Sequence, residues 1–416
     1  MSKEVKIIVI GGGAAGLMAA YAASTGSNEV ILLEKNEKLG KKIYITGKGR
    51  CNLANSCDTQ TFLKNVVSNP RFLYGAVSRL DPDATVALFN DLGLETKIER
   101  GNRVFPISDH ASDVTKTLEK AIKKAGVSIM LNSEVSAIKT SDDRFSSVVL
   151  SNGKEIEADA CIIATGGLSY PSTGSTGDGY GFALKMGHTV IPCVPSLVGL
   201  KTKESFVSEM EGLSLKNVRL DAYLSGKKKY SEQGEMLFTH NGVSGPLILT
   251  ASALFTRDLA GGAELKLIID LKPSLTSEML EERLLREFAS ASNKDIKNVL
   301  RSLIPSSMIE PFLRLCSLNG EKKVNSVTAP ERKKIVSVLK GFELNVSGAG
   351  GFNEAVVTKG GIKVNEIDPK TMESKLVKNI FFAGEIIDVD AFTGGFNLQI
   401  AWSTGYAAGT ALSAEF

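Results

Sequence analysis

The feature that most constrains this chain is the segment GGGAAG at residues 11–16, which lies between a predicted strand and a predicted helix. The stretch from Glu4 to Ile10 begins with a brief alternation and continues as an apolar run typical of a buried strand, and Ala14 to Ala23 has the composition of a helix. Val30 to Leu33 predicts a second buried strand. This βαβ unit predicts an α/β fold with a parallel, Rossmann-like sheet that binds a dinucleotide.

The three key glycines of this GxGxxG pattern each have a physical role. Gly11 permits the tight turn, Gly13 lets the backbone approach a pyrophosphate, and Gly16 lets the helix pack closely on the strand. Backbone N–H groups of the first helical turn, Ala15 among them, and the helix dipole attract the phosphate charge. Strand, glycines and helix together predict a dinucleotide site rather than a simple structural turn.

A carboxylate at the end of the second strand supports this prediction. Glu34 is placed to accept hydrogen bonds from a ribose diol. Its charge argues against a ribose 2′-phosphate, although the adjacent Lys35 reduces that repulsion. NAD and FAD both use such a unit, so the unit by itself does not choose between them.

Composition excludes several other classes. The chain has 416 residues, 49 Lys plus Arg, 46 Asp plus Glu and a formal charge of +3, as expected of a folded protein with no strong attraction to nucleic acid or membrane. Five scattered cysteines form no pattern of zinc-site spacing, so we predict no metal site and a reducing, cytoplasmic location. The apolar run at residues 7–23 is shorter than the roughly 20 residues that span a bilayer. The sequence predicts no oligomeric state.

The pattern of apolar and polar residues changes at two points along the chain. Residues 1–190 and 342–416 contain the βαβ unit, a predicted β-meander and a closing helix, so we assign them to one discontinuous nucleotide-binding domain. Residues 191–341 are predicted to form an inserted, substrate-side domain. Alternating segments make its 191–272 part mainly antiparallel β, and amphipathic helices make its 273–341 part mainly helical.

Further motifs lie along the whole chain. They are ATGG at 164–167, FAGE at 382–385, TGKGRCN at 46–52, PSTGSTGDG at 171–179, FTHNGVSGP at 238–246, and the stretch from Gly384 to Gly405. The chain thereby resembles the flavoproteins with two dinucleotide-binding domains. More closely, it is similar to the family of FAD-binding oxidoreductases known as aminoacetone oxidase-like or BaiN-like.

The resemblance implies non-covalent FAD and a set of residues around it. It gives Glu34 and Lys35 to the adenosine ribose, Val135 to the adenine, and Thr165 and Gly166 to the lining of the cofactor site. It assigns Arg50 and Asn52 to the pyrophosphate or flavin side, and it adds Lys42, Gly49 and Cys51 to the cofactor-binding residues. The wider flavoprotein pattern has Gly-Asp where this chain has Gly384-Glu385, so either Glu385 or Asp388 is the expected ribityl ligand.

The last helix offers a separate physical argument. Gly394 and Gly395 lead into it, and a helix N-terminus carries roughly half a positive charge. Aimed at the pyrimidine edge of a flavin, it would stabilise the anionic reduced ring. Asn397 and Gln399 are predicted to bond that edge, and the alternative is that Asn397 is an ordinary N-capping residue.

The candidate catalytic groups have weaker support. His240 or Asn241, in the turn of FTHNGVSGP, is a candidate substrate contact, and Tyr170 is a candidate proton donor. Each has a purely structural alternative. Cys51 and Cys57 invite comparison with disulfide reductases, but five residues separate them and no second nucleotide fingerprint follows.

We therefore predict an FAD-dependent oxidoreductase of a small organic substrate. The favoured form is an NAD(P)H-linked reductase of an activated C=C bond, with NAD(P)H as a transient reductant. The alternatives are a peroxide-producing oxidase of a small amine such as aminoacetone, and a flavoprotein that modifies tRNA or senses redox state.

Overall fold

The computed structural model describes residues 5–25 and 28–414. The strands are β1 (Lys6–Ile10), β2 (Glu29–Leu33), β3 (Ala54–Asn55), β4 (Thr96–Glu99), β5 (Arg103–Pro106), β6 (Ser128–Met130), β7 (Val135–Ser141), β8 (Arg144–Leu150), β9 (Glu155–Glu157), β10 (Ala160–Ile163), β11 (Val190–Ser196), β12 (Leu200–Thr202), β13 (Ser214–Leu224), β14 (Lys227–Thr239), β15 (Gly242–Ser244), β16 (Leu265–Asp270), β17 (Phe342–Ala349), β18 (Val357–Ile362) and β19 (Ile380–Phe382).

The α-helices are α1 (Ala14–Ala23), α2 (Lys41–Ile45), α3 (Thr59–Lys64), α4 (Tyr74–Arg79), α5 (Pro82–Asp91), α6 (Ala111–Lys124), α7 (Asp178–Lys185), α8 (Pro246–Ala260), α9 (Ser277–Ser290), α10 (Ile296–Val299), α11 (Ile309–Cys316), α12 (Ala329–Lys340) and α13 (Phe396–Ala414). Glu4, where the first predicted strand begins, lies outside the described residues.

The centre of the nucleotide-binding part is a parallel sheet in the order β19-β10-β1-β2-β6. Its middle strands are almost completely buried, and this explains their continuous apolar sequences. α1 and α13 pack closely on each other, since Gly405 and Gly409 leave room for the α1 backbone. The predicted Rossmann-like α/β class is confirmed.

Smaller antiparallel sheets complete this part of the chain. β7, β8 and β9 form the predicted meander, β3, β5 and β4 form a second small sheet, and β11 pairs with β18. The described chain divides into two compact units. Unit 1 runs up to Ser196 and resumes at Phe352, and unit 2 runs from Leu197 to Gly351.

Unit 2 is a closed antiparallel barrel with helices. Its strand order is β12-β15-β14-β13-β16-β17, and β17 returns to β12 to close it. Helices α8 to α12 share an apolar core with the barrel strands. The inserted antiparallel β part and its helical part were both predicted from sequence, whereas closure of the barrel was not.

Both unit boundaries lie further along the chain than the predicted boundaries at residues 190/191 and 341/342. β11 pairs with β18 and therefore belongs to unit 1. β17 pairs with β16 and β12 and therefore belongs to unit 2. The local sequence pattern alone assigned β11 and β17 to the wrong units. The strands that pair with them lie far away in the sequence, and this pairing decides to which unit each strand belongs.

Candidate functional site

The glycine-rich loop has the geometry that the fingerprint requires. Gly11 has a φ of +100°, and a Cβ atom there would lie 2.5 Å from the Ala164 carbonyl oxygen. A Cβ atom at Gly16 would lie 1.8 Å from the Gly11 oxygen, so only glycine allows α1 to pack this closely on the loop. At Gly13, by contrast, a Cβ atom would point into open space. Gly11 and Gly16 therefore allow close packing, whereas Gly13 borders a gap that a side chain would fill.

The start of α1 beside that gap suits a phosphate group. Gly13 is its N-cap residue, its first turn has no acidic residue, and no side chain of the described residues caps it. The N–H groups of a helical first turn have no partner within the helix, and they attract an anion together with the helix dipole. The residues present therefore fit the pyrophosphate of FAD.

Glu34 is fixed at the carboxyl end of β2, next to this loop. Its Oε2 accepts the Gly12 N–H at 2.7 Å, and its Oε1 accepts the Asn36 backbone N–H at 2.8 Å and the Asn36 amide at 2.7 Å. The residue is only 7% exposed. An ionised carboxylate has about four lone-pair positions, so Oε2 retains capacity for one ribose hydroxyl.

A buried polar network surrounds Glu385. Lys42 Nζ lies 2.7 Å from Glu385 Oε2, while Ser169 Oγ and the Thr358 N–H donate to Oε1 at 2.6 and 2.7 Å. Burial by itself would raise the pKa of Glu385, but the Lys42 ammonium and these hydrogen bonds hold that pKa below its ordinary value. The carboxylate is thus ionised and preoriented, as a group that accepts ribityl hydroxyls must be.

Asp388, the alternative ribityl ligand, is held differently. It is 8% exposed, and Asn69 Nδ2 donates to both its backbone oxygen and its Oδ2, at 2.7 and 3.0 Å. This contact fixes the loop that follows β19. Gly384, the neighbour of Glu385, lies against the start of α1, since a Cβ atom added there would be 2.7 Å from the Ala15 Cβ atom. Of the two carboxylates, Glu385 has the surroundings that better suit the ligand.

Thr165 and Gly166 follow the carboxyl end of β10, where ligands bind in such sheets. The Thr165 Oγ1 is buried, has no hydrogen-bond partner within the described part of the chain and lies against Gly179 of α7. Gly166 has a φ of +75°. Val135 is buried at the start of β7, the first strand of the meander.

Arg50 does not have the surroundings that the sequence suggested. Its guanidinium donates to Glu99 and Asp109, with the shortest distances 2.5 and 2.6 Å, and it stacks 4.2 Å from the Phe105 ring centroid. Hydrogen bonds to these carboxylates raise the pKa of Arg50 and lower the pKa of Glu99, while hydrogen bonds from Lys97 and then Arg50 lower the pKa of Asp109. The structure therefore commits Arg50 to holding the TGKGRCN loop, in which Gly49 has a φ of +85° and an exposed position.

The two cysteines near this loop are not joined by a disulfide bond. All five cysteines are free thiols. Burial raises the pKa of the Cys51 thiol to about 12 and that of Cys57 to about 11. Since the thiolate is the reactive form, these values argue against the dithiol mechanism. Cys51 is fully buried.

The start of α13 is braced by its own neighbours. In the orientation that satisfies its surroundings, the Asn52 amide accepts the Gly395 N–H at 3.0 Å and donates to the Ala54 oxygen at 3.0 Å. Asn397 accepts the Ala391 N–H at 2.9 Å and donates to the Ala391 oxygen at 2.8 Å. Its amide is thus used inside the loop, which matches the alternative of a structural asparagine.

Gln399 was expected at the flavin edge, but the structure buries it completely. Its amide donates to the Leu80 oxygen, Thr85 Oγ1 and Ser403 Oγ at 3.1, 2.7 and 3.0 Å. The residue has no exposed surface for a ligand. That prediction is wrong, because α13 is apolar around most of its circumference and Gln399 faces the core rather than solvent.

Lys35 also has partners that differ from the expected adenosine ribose. Its Nζ lies 2.6 Å from Asp178 Oδ2 and 2.5 Å from Thr176 Oγ1. Asp178, Ser169 and Thr358 were not predicted from the sequence as site residues. The PSTGSTGDG motif contained a signal for Asp178, whereas Ser169 and Thr358 carry no local pattern that separates them from other polar residues.

The candidate catalytic residues lie in both units. Tyr170, in unit 1, is half-buried, has a φ of +53°, and donates its N–H to the Phe352 oxygen at 2.9 Å. In unit 2, His240 is exposed in the β14–β15 turn, and its Nδ1 lies 3.0 Å from Glu211 Oε2. The Asn241 oxygen accepts the Thr202 N–H at 3.1 Å, so Asn241 fixes the turn. A histidine with an adjacent carboxylate is suited to proton transfer.

Within residues 5–25 and 28–414, no helix is both long and apolar enough to cross a membrane. No group of three or more His, Cys, Asp or Glu side chains there has an arrangement that could hold a metal ion.

Comparison with known proteins gives matches over almost the whole chain. A family profile described as "HI0933-like protein Rossmann domain" matches residues 5–411. A 3-dehydro-bile acid delta(4,6)-reductase from Clostridium scindens is 33% identical over 408 residues, which cover 98% of each chain. A ribosomal RNA dihydrouridine synthase from Haemophilus influenzae is 31% identical over 419 residues, which cover 100% of each chain.

A solved structure shows the same fold. The 3-ketosteroid delta1-dehydrogenase from Sterolibacterium denitrificans is 13% identical, with a TM-score of 0.53 over 100% of both chains. At this identity the similarity concerns the fold alone.

Proposed function

Since the chain belongs to the HI0933-like Rossmann family, whose members are FAD-dependent oxidoreductases, we propose that it reduces a carbon–carbon double bond conjugated to a carbonyl group. The observation that carries the proposal is the shared chemistry of the two relatives. One is named for reducing a dehydro-bile acid, and the other for making dihydrouridine, which is uridine saturated at its C5–C6 bond. Both names describe addition of hydrogen to a double bond next to a carbonyl.

The residues of unit 1 supply binding and orientation. The α1 N-terminus and the gap at Gly13 would receive the pyrophosphate, Glu34 would accept the ribose diol, and Glu385 would accept the ribityl hydroxyls. Bound FAD supplies hydride-transfer chemistry at its ring. The positive end of the α13 dipole would favour the negative charge of the reduced ring.

Saturation of a conjugated bond also needs a proton at the carbon next to the carbonyl. We assign that proton to His240, because its ring has Glu211 as an orienting partner and an exposed face. Tyr170 is the second candidate. As the reductant we propose NADH or NADPH acting transiently.

A second candidate differs only in the substrate. The Haemophilus influenzae relative acts on ribosomal RNA and matches this chain from end to end, so a uracil base within RNA is the alternative acceptor. The lysine run Lys227–Lys229 on β14 and the basic run Arg332–Lys334 on α12 provide positive charge for such a polyanion.

The substrate class can be tested with three kinds of compound under one set of conditions. The purified holoprotein, supplied with NADH or NADPH, is incubated with a 3-oxo-4-ene bile acid, with unmodified ribosomal RNA and with aminoacetone, and products are measured by mass spectrometry. A gain of two mass units on the acid or on a uridine supports reduction of a conjugated bond. Peroxide from aminoacetone without either product supports an amine oxidase and contradicts the proposal.

A further inference from the structure

Residues Pro171–Asp178, which we call the strap, connect the loop after β10 to α7. On one side the strap reaches the residues that follow β2. Asn36 Nδ2 donates to Glu34 Oε1 at 2.7 Å and to the Thr173 oxygen at 3.2 Å. One amide therefore joins the strap to the carboxylate that would bind the adenosine ribose.

On its other side the strap lies against the residues that follow β10. A Cβ atom added to Gly166 would lie 2.9 Å from Ser175 Oγ. In the parallel sheet, β1 lies between β10 and β2. The strap contacts the residues that follow β10 and those that follow β2, the two neighbours of β1. It must therefore cross the carboxyl end of β1, where the glycine-rich loop begins. Because ligands bind at this edge of such a sheet, the strap spans the nucleotide crevice.

A single ion pair fastens the strap to β2. Lys35 Nζ lies 2.6 Å from Asp178 Oδ2 and 2.5 Å from Thr176 Oγ1. The two charged side chains are 24% and 35% exposed, so water and salt reach them. Such a pair is a weak and salt-sensitive contact. It can open without unfolding the sheet on either side.

We propose that the strap retains the adenosine half of FAD and that the Lys35–Asp178 pair is the latch that limits the rate of FAD release. The inference rests on the FAD site proposed above and adds a residue pair that determines how long the cofactor stays. In this account Lys35 acts on the strap and not on the ribose. Asp178 then matters as much as Lys35, and removing both matters no more than removing either.

The test measures FAD release from holoprotein by the rise in flavin fluorescence after dilution, at 20 and 500 mM NaCl. The variants are Lys35→Gln, Asp178→Asn and the double variant. Lys139→Gln is the matched control, because it removes one positive charge from the 2.6 Å Lys139–Glu155 pair on the meander. At low salt we expect each single variant and the double variant to release FAD about two- to fivefold faster than wild type, as for a partly exposed pair. At high salt all rates should converge, and the control should match wild type throughout.

Three results would overturn the latch. They are wild-type release rates in the variants at low salt, an effect of Lys35→Gln without an effect of Asp178→Asn, and additive effects in the double variant. A purified protein that binds no FAD would instead contradict the cofactor assignment itself. Failure of the latch and failure of the proposed function are therefore distinguishable.

Discussion

Lys42 Nζ lies 2.7 Å from Glu385 Oε2, although the two residues are separated by 343 positions in the chain. This pair joins the segment after β2 to the return of the chain after β19. Both side chains are mostly buried, so the pair is less screened than a surface pair. Because Glu385 is the proposed ribityl ligand, we expect the charges of this pair to affect FAD binding.

The first prediction concerns Lys42→Met. The pKa of Glu385 lies below its ordinary value in the folded protein, so its ionised form contributes stability above the usual carboxyl range, and this contribution is lost as pH falls through the folded pKa. Without Lys42, burial raises that pKa, so FAD binding should weaken at a higher pH than in wild type. Titration of FAD affinity from pH 8 to pH 4 measures this. Identical pH profiles would mean that the pair has no role in binding.

A matched pair of glycine variants separates folding from cofactor binding. Gly13→Ala places a methyl group in open space, so the apoprotein should unfold within about 0.5 kcal/mol of wild type but bind FAD poorly. Gly16→Ala places a Cβ atom 1.8 Å from the Gly11 oxygen and should destabilise the apoprotein by more than about 3 kcal/mol. Urea unfolding and flavin absorbance report the two effects. Normal FAD content in Gly13→Ala would contradict the pyrophosphate assignment.

Arg50→Met tests the structural role of this residue. The substitution leaves Glu99 and Asp109 without the guanidinium that bridges them, so we expect a small but measurable loss of unfolding free energy. FAD affinity of the folded fraction should change little. An unchanged stability with a large loss of FAD affinity would instead restore Arg50 to the pyrophosphate.

Cys57→Ser should leave catalysis intact. Its thiol has a pKa raised to about 11 by burial, so little thiolate exists at neutral pH. We expect steady-state turnover within about twofold of wild type, since no dithiol step is involved. A long-wavelength charge-transfer band in the reduced wild-type enzyme, absent from the variant, would point to a thiolate at the flavin.

His240→Gln should slow product formation but not reduction of the flavin. Loss of a positioned proton donor typically costs about 10²–10⁴-fold in rate. Glu211→Gln should have a smaller effect, because Glu211 only orients the ring. His110→Gln, which changes an exposed histidine before α6, is the control. Equal turnover in His240→Gln and His110→Gln would exclude His240 as the donor and favour Tyr170.

Local sequence patterns predicted the elements that depend on local order. The βαβ unit followed from the apolar runs around the glycine-rich loop, and the meander followed from alternation along β7 and β8. The fold class could therefore be predicted from the sequence. Closure of the barrel depends on β12 and β17, which are about 140 residues apart and carry no mutual signal.

The same distinction applies to the candidate site. Glu34 was found because its place after β2 belongs to a motif with fixed spacing. The actual partners of Arg50, at positions 99 and 109, belong to no such motif. Gln399 was misassigned because its place near a glycine-rich turn suggested exposure, whereas tertiary packing buries this face of α13. Motif spacing predicts which groups bind, and only packing shows which polar residues are already used.

The proposal of a conjugated-bond reductase can be tested most directly by anaerobic stopped-flow absorbance at the flavin band. The holoprotein is first reduced with NADH or NADPH and then mixed, without oxygen, with a 3-oxo-4-ene bile acid or with unmodified ribosomal RNA. We predict bleaching by one nucleotide and return of the oxidised band on mixing with one acceptor, with a saturated product of matching stoichiometry. Two results together would contradict the account. The reduced flavin is reoxidised by neither acceptor, and in a separate mixing the oxidised holoprotein is bleached by aminoacetone and then reoxidised by oxygen with release of peroxide.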